Sequence, residues 1–234
     1  MNRPTKIFKE SIHGLADLFF PRLCLGCDIP LHINESDLCF SCQLVLPKTD
    51  FHRFPENPAW QNFIGRVDVL AATSFLHFEK GGTVQRLMHA IKYQGKKELA
   101  HRLGYWFGED LKDSRFSEFN RLIPIPLHPK KLKQRGYNQA EAFAEGISRA
   151  LSIPLDTDSF VRVKHSKSQT GMDRFLRWNN VQDAFELRRS INPNEKILLI
   201  DDVLTSGATF EAAMLSMIPH GLRNFGLATL AYAQ

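Results

Sequence analysis

Residues 196–217, KILLIDDVLTSGATFEAAMLSM, decide the architecture of this chain. Ile197 to Ile200 are continuously apolar, the pattern of a strand covered on both faces. They run into two adjacent carboxylates, Asp201 and Asp202, and then into the small and hydroxyl-bearing run TSGAT. A helix from about 207 to 218 is predicted next, with Phe210, Ala213, Met214, Met217 and Ile218 on its apolar side. Charged groups at the tip of a buried strand cost stability unless something binds there.

The chemistry of that stretch is specific. Two neighbouring acceptors at a strand tip can take the two hydroxyls of a vicinal diol, directly or through Mg²⁺. Amides in the first turn of a helix lack intrahelical partners, and the helix dipole adds partial positive charge. Thr205, Ser206 and Thr209 supply hydroxyl donors beside them, Gly207 lets the backbone come close, and Ala208 completes the candidate binding turn. A phosphate fits such a turn. Diol and phosphate bridged by a few residues describe a ribose 5-phosphate. Two other readings compete. A Walker B strand would need a G-x4-G-K-[ST] loop upstream, and YQGKKE is not one. An ordinary helix cap beside surface aspartates is the simpler alternative.

Outward from this stretch, strand and helix alternate. VDVLAATSFLHF (67–78), RLIPIPL (121–127) and FGLATLAYA (225–233) read as strands, and 83–93, 97–111 and 139–151 as helices. Asn138 can cap the last of these, with Glu141 completing a capping box. The fold class is therefore α/β, a mostly parallel sheet flanked by helices, with the ligand beyond the carboxyl ends of the strands.

The only four cysteines, Cys24, Cys27, Cys39 and Cys42, follow a C-x2-C-x11-C-x2-C pattern. Two such knuckles make a tetrahedral four-sulfur site suited to structural zinc, with His32 a bystander. Two disulfides are the competing reading, disfavoured in a reducing compartment. The chain divides as 1–46, an amphipathic helix followed by a zinc-ribbon-like module; 47–66, a proline-rich linker arm; and 67–234, the main domain. At 234 residues, 43% hydrophobic and 24% charged, it has the composition of a soluble globular protein. Its net charge of +5 permits anionic partners without requiring them. No membrane span or signal peptide is read, and a cytoplasmic location is expected.

ILLIDDVLTSGAT (197–209) resembles the phosphoribosyl pyrophosphate signature of the type I phosphoribosyltransferases. CLGC…CFSC, IKYQGKKELA (91–100), PIPLHPKKLKQRGYNQAEAFAEGI (124–147) and QTGMDRFLRWNNVQDAF (169–185) resemble, in order, segments of the ComF-type competence family. The resemblance implies a pyrophosphate-binding loop over 126–138 and a second, mobile loop over roughly 164–181. Lys130, Lys131, Lys133 and Arg135 supply cations in the first, as expected of phosphate contacts. Gln169, Arg174, Arg177 and Asn180 are the candidates in the second. Asp201, Asp202, Arg174 and Arg177 would carry catalysis, with Mg²⁺ bridging diol and diphosphate. The family also implies a link to natural transformation, and with it single-stranded DNA and a competence helicase as possible partners. Trp106, Tyr137 and Trp178 are then candidates for base stacking. No acceptor and no oligomeric state can be read.

Overall fold

The computed structural model describes residues 21–163 and 185–233. Its centre is a four-stranded, all-parallel sheet of β1 (Ala71–His77), β2 (Arg121–Pro124), β5 (Ile197–Leu204) and β6 (Phe225–Tyr232), in the order β1-β6-β5-β2. Every residue of β6 is buried, as a central strand with both faces covered must be. On one face lie α3 (Thr83–Tyr93), α4 (Lys97–Leu111) and α6 (Gln139–Leu151), packed on Phe75, Leu122, Leu198 and Ile200. The other face carries α7 (Ala208–Met217) and an antiparallel pair, β3 (Phe160–Arg162) with β4 (Phe185–Leu187), whose Phe160 and Phe185 rings stack. The mostly parallel, helix-flanked α/β sheet expected from sequence is the architecture observed.

Helices α4 and α6 cross at backbone contact. A Cβ on Gly104 would sit 2.0 Å from the Phe143 carbonyl oxygen, and one on Gly146 2.0 Å from that of His101. Asn138 caps α6 through its Oδ1, which accepts from the Ala140 amide at 3.2 Å.

Three local expectations change. The basic stretch after β2, expected as a loop, contains α5 (Pro129–Arg135). Pro129 presets its first turn, His128 Nδ1 accepts from the Lys130 amide at 3.2 Å, and Gly136 ends it at φ 80°. Strand β5 does not stop at Asp201: Asp201, Val203 and Leu204 pair with Thr229, Ala231 and Tyr232. The acidic residues thus lie within the ladder, because the apolar residues after them extend it.

The third concerns 47–66, which lies along β1 rather than hanging free. Lys48 pairs with Leu76, and the Thr49 amide donates to Phe75 at 3.0 Å. The buried Asn57 Nδ2 donates to the carbonyls of Phe51, Phe54 and Ala72 at 3.1, 2.8 and 2.8 Å. From the short α2 (Pro58–Gln61), Trp60 Nε1 donates to Val69 at 3.2 Å. Proline and polar content suggested a linker, yet Phe51, Ala59 and Phe63 are core residues.

The cysteine module sits against α3 and α4. Among its described residues the helix α1 (Phe40–Leu44) is part of the second knuckle, with Cys39 as its N-cap and Cys42 inside it. Arg86 of α3 donates to the carbonyls of Leu25 (2.8 Å) and Gly26. Arg102 of α4 holds Ser36 Oγ at 2.6 Å and Asp37, and Lys96 reaches Asp37 at 3.0 Å. Cys24 and Leu38 are wholly buried in the main core. The helix expected over residues 1–22 lies almost wholly outside the described residues. Among those described, no helix is long and apolar enough to cross a membrane.

Candidate functional site

The acidic pair lies half-buried near the carboxyl end of β5. Asp201 Oδ1 accepts the Asp202 amide at 2.8 Å, which restrains the first carboxylate. Asp202 Oδ2 pairs with Lys92 Nζ at 2.8 Å, a contact with about a fifth of either side chain exposed. Burial, and next the Asp202 carboxylate, push the Asp201 carboxyl up to about 7, against the pull of the Asp202 amide, Lys92 and Arg162. The site therefore holds two carboxylates, one of them ion-paired with Lys92 from the last turn of α3, with the charge of Arg162 in β3 also acting on Asp201.

Beyond β5 the chain turns into α7. Thr205, Ser206, Ala208 and Thr209 are exposed around a buried Gly207 at φ 75°, the left-handed region glycine tolerates. Gly207 caps α7 without a side-chain hydrogen bond. The Thr205 and Ser206 carbonyls are turned the other way: Ser206 accepts from Arg66 Nη1 at 2.6 Å and Thr205 from Asn62 Nδ2 at 3.5 Å. Carboxylates, then hydroxyls and first-turn amides, follow one another along a single strand-to-helix connection.

The cations expected after β2 leave the sheet at the same end, since the Ile125 amide still bonds the Ile200 carbonyl at 2.7 Å. Lys130, Lys131 and Lys133 are exposed. Arg135 is half-buried, bonded to Gln139 Oε1 at 2.7 Å, with its guanidinium 5.6 Å from the Tyr93 ring centre. Tyr93 follows Lys92, so this arginine joins the acidic pair's neighbourhood through α3. Gln169, Arg174, Arg177 and Asn180, with Trp178, lie outside the described residues. Two other stacking candidates are committed to packing. Tyr137 donates its hydroxyl to the Ile91 carbonyl, and Trp106 packs on the core beneath Arg102. Tyr93, which was not singled out, is the exposed aromatic beside the site, at 61%.

The four cysteine sulfurs lie within 4.8 Å of one another, without His32. The Cys27 and Cys39 sulfurs are 3.7 Å apart, against an edge of roughly 3.8 Å for a tetrahedron with Zn–S bonds of about 2.3 Å. A Cβ on Gly26 would meet Cys42 Sγ at 2.6 Å, so the knuckle closes only around glycine. Burial pushes the Cys24 thiol up, but the amides of Cys39 and Gly26, with Cys27, outweigh it and bring it down to about 7. Burial, together with the other sulfurs, drives the Cys42 thiol up. Crowded thiols of opposed acidity are relieved by a bound cation, and the group can hold a metal such as zinc.

The sequence reading missed Lys92, Arg162, Asn62 and Arg66. Lys92 stood in a string that carried family resemblance without an assigned task. The other three come from the arm and an edge strand, and only folding brings them here.

Residues 138–234 match the phosphoribosyl transferase domain family. The chain is 28% identical to competence protein F of Haemophilus influenzae over 228 residues, 89% of this chain and 94% of that protein. It is 24% identical to DNA utilization protein YhgH of Escherichia coli K12, over 82% of this chain and 88% of that one. Competence protein ComFC of Bacillus subtilis is 23% identical over 80% of each. The matched stretch contains β5, the acidic pair and the turn into α7, so this part of the chain is similar to phosphoribosyl transferase domains, and the helix-flanked parallel sheet is consistent with their fold. Similarity over most of the length of these competence and DNA utilization proteins supports a ComF-type protein of the phosphoribosyltransferase superfamily.

Proposed function

We propose that the chain binds phosphoribosyl pyrophosphate with Mg²⁺ and acts in competence and DNA uptake; its relatives are named for competence and for DNA utilization. The observation that carries the reading is the half-buried Asp201–Asp202 pair leading directly into the turn 205–209, where Thr205, Ser206 and Thr209 are exposed around Gly207 at the start of α7. Asp201 and Asp202 would accept the ribose 2- and 3-hydroxyls. Thr205 to Thr209 would hold the 5-phosphate, and Lys130 and Arg135 the diphosphate. Carboxylate oxygens suit Mg²⁺, and Asp202 already faces a cation in Lys92. Bound there, Mg²⁺ would add positive charge opposite the leaving diphosphate. Displacement at ribose C1 passes through an oxocarbenium-like state, so the residues act by positioning and by countering charge. Arg174 and Arg177 would share that task. In the cysteine module zinc would be structural.

A second reading has the protein bind the phosphoribosyl ligand, or single-stranded DNA, without turnover. The exposed lysines of α5 and the neighbouring Tyr93 favour it. Calorimetric titration with phosphoribosyl pyrophosphate and Mg²⁺ tests the site: saturable heat is expected for the wild type and none for Asp201→Asn/Asp202→Asn. A silent wild type rejects the assignment. Pyrophosphate release against a panel of bases then separates the two readings. Release with one base supports an enzyme, while binding without release supports the module.

A further inference from the structure

We infer that the 58–66 arm is a working part of the phosphate turn, with Arg66 and Phe63 as its positioning residues; this rests on the 5-phosphate reading above. Arg66 Nη1 donates to the Ser206 carbonyl at 2.6 Å and to the Asn62 carbonyl at 3.0 Å, and its Nη2 pairs with Glu211 in the first turn of α7. The guanidinium also lies 5.9 Å from the Phe63 ring centre. One side chain thus ties the turn, the helix and the arm together. Asn62 adds the contact to Thr205. Phe63 is buried edge-on to Phe210, and its ring stands 2.8 Å from where a Cβ on Gly207 would be. The ring closes the inner side of the turn, while Arg66 and Asn62 engage two successive carbonyls.

A peptide whose carbonyl is held on one side presents the following amide on the other. Gripping the Thr205 and Ser206 carbonyls therefore sets which way the Ser206 and Gly207 amides face. Those are groups a phosphate would use, and donors fixed in advance spare the ligand the cost of ordering them. Arg66 does this with a planar fork that a lysine ammonium cannot copy. The arm is in turn held to β1 by Asn57, which bonds the Ala72 carbonyl, and to Val69 just before that strand by Trp60.

The test compares wild type, Arg66→Gln, Arg66→Lys and Phe63→Leu in the full-length, metal-loaded protein. Dissociation constants are measured for inorganic phosphate, ribose 5-phosphate and Mg²⁺–pyrophosphate, and the Gly207 amide resonance is followed without ligand. Expected for Arg66→Gln is a loss of about tenfold for phosphate and for ribose 5-phosphate alike, with the pyrophosphate constant unchanged and the Gly207 resonance shifted. Arg66→Lys should recover little of it. Full recovery with lysine would mean that charge, not positioning, is at work, and would overturn the inference. So would a wild type that binds and variants that bind equally well. If Arg66→Gln does not fold, Phe63→Leu carries the comparison, with the same outcomes required. A wild type that binds neither phosphate nor ribose 5-phosphate overturns the ligand reading itself, and this inference with it.

Discussion

Asp201 has the most costly environment of the described carboxylates at the site. Its carboxyl stands at about 7 in the fold against an ordinary 3.8, for reasons of burial and of the adjoining Asp202. A carboxyl raised on folding contributes fully below its unfolded value and loses that contribution as pH rises through the folded one. Ligand-free stability should accordingly fall between about pH 4 and pH 7. Asp201→Asn keeps the oxygen that accepts the Asp202 amide and removes the charge. Thermal melts without ligand should show it more stable than wild type by about 1–2 kcal/mol at pH 8, with the advantage gone near pH 4. An unchanged or lower melting temperature at pH 8 would sink this account. The same substitution should abolish ligand heat, so stability and binding move in opposite directions, as at sites that hold charge in readiness for a ligand.

Among the elements, α4 and α6 are coupled most tightly. Their backbones touch where glycines face one another, and Gly146 has His101 and Tyr105 main-chain atoms where a Cβ would go, at 2.0 and 2.5 Å. Helix propensity favours alanine there, by about 1 kcal/mol. Contact should override it: Gly146→Ala is expected to cost about 3 kcal/mol in urea unfolding, because backbone cannot step aside as a side chain can. A variant within about 0.5 kcal/mol of wild type would refute the tight crossing. Periodicity alone yields both helices, while the glycines that set their distance read from sequence only as breaks in propensity. The helix α5 shows the converse. Pro129 and Gly136 are its start and stop signals, but seven residues rich in lysine carry too little apolar pattern to announce a helix.

At the scale of the molecule, the cysteine module is fastened to a helix, α3, that also serves the acidic site. Helix α3 carries Arg86, bonded to the knuckle carbonyls of Leu25 and Gly26, and six residues later Lys92, bonded to Asp202. Arg102 and Lys96 add two ionic contacts at Asp37, whose carboxyl they hold below its ordinary range against the effect of burial. Elemental analysis should find about one metal ion per chain, lost in Cys42→Ser. Its removal should lower the melting temperature and open the module to protease, since a unit of this size has little core of its own. A metal-free wild type that melts unchanged would exclude a structural role.

What the sequence determined by itself is whatever local pattern dictates. An unbroken apolar run makes β5 a buried parallel strand, 3.6-residue periodicity makes α3, α4 and α6, and two C-x2-C knuckles bring four sulfurs together. The acidic pair and the turn behind it were legible for the same reason, as neighbours in the chain. Tertiary structure alone decided the company they keep. Lys92 and Arg66 are remote from Asp202 and Ser206 in sequence, and nothing in their flanking residues encodes a meeting that depends on strand order and on the arm lying back across β1. Burial of Asp201 belongs to the same class: a carboxylate's environment is set by what packs over it, and that is a property of the whole fold.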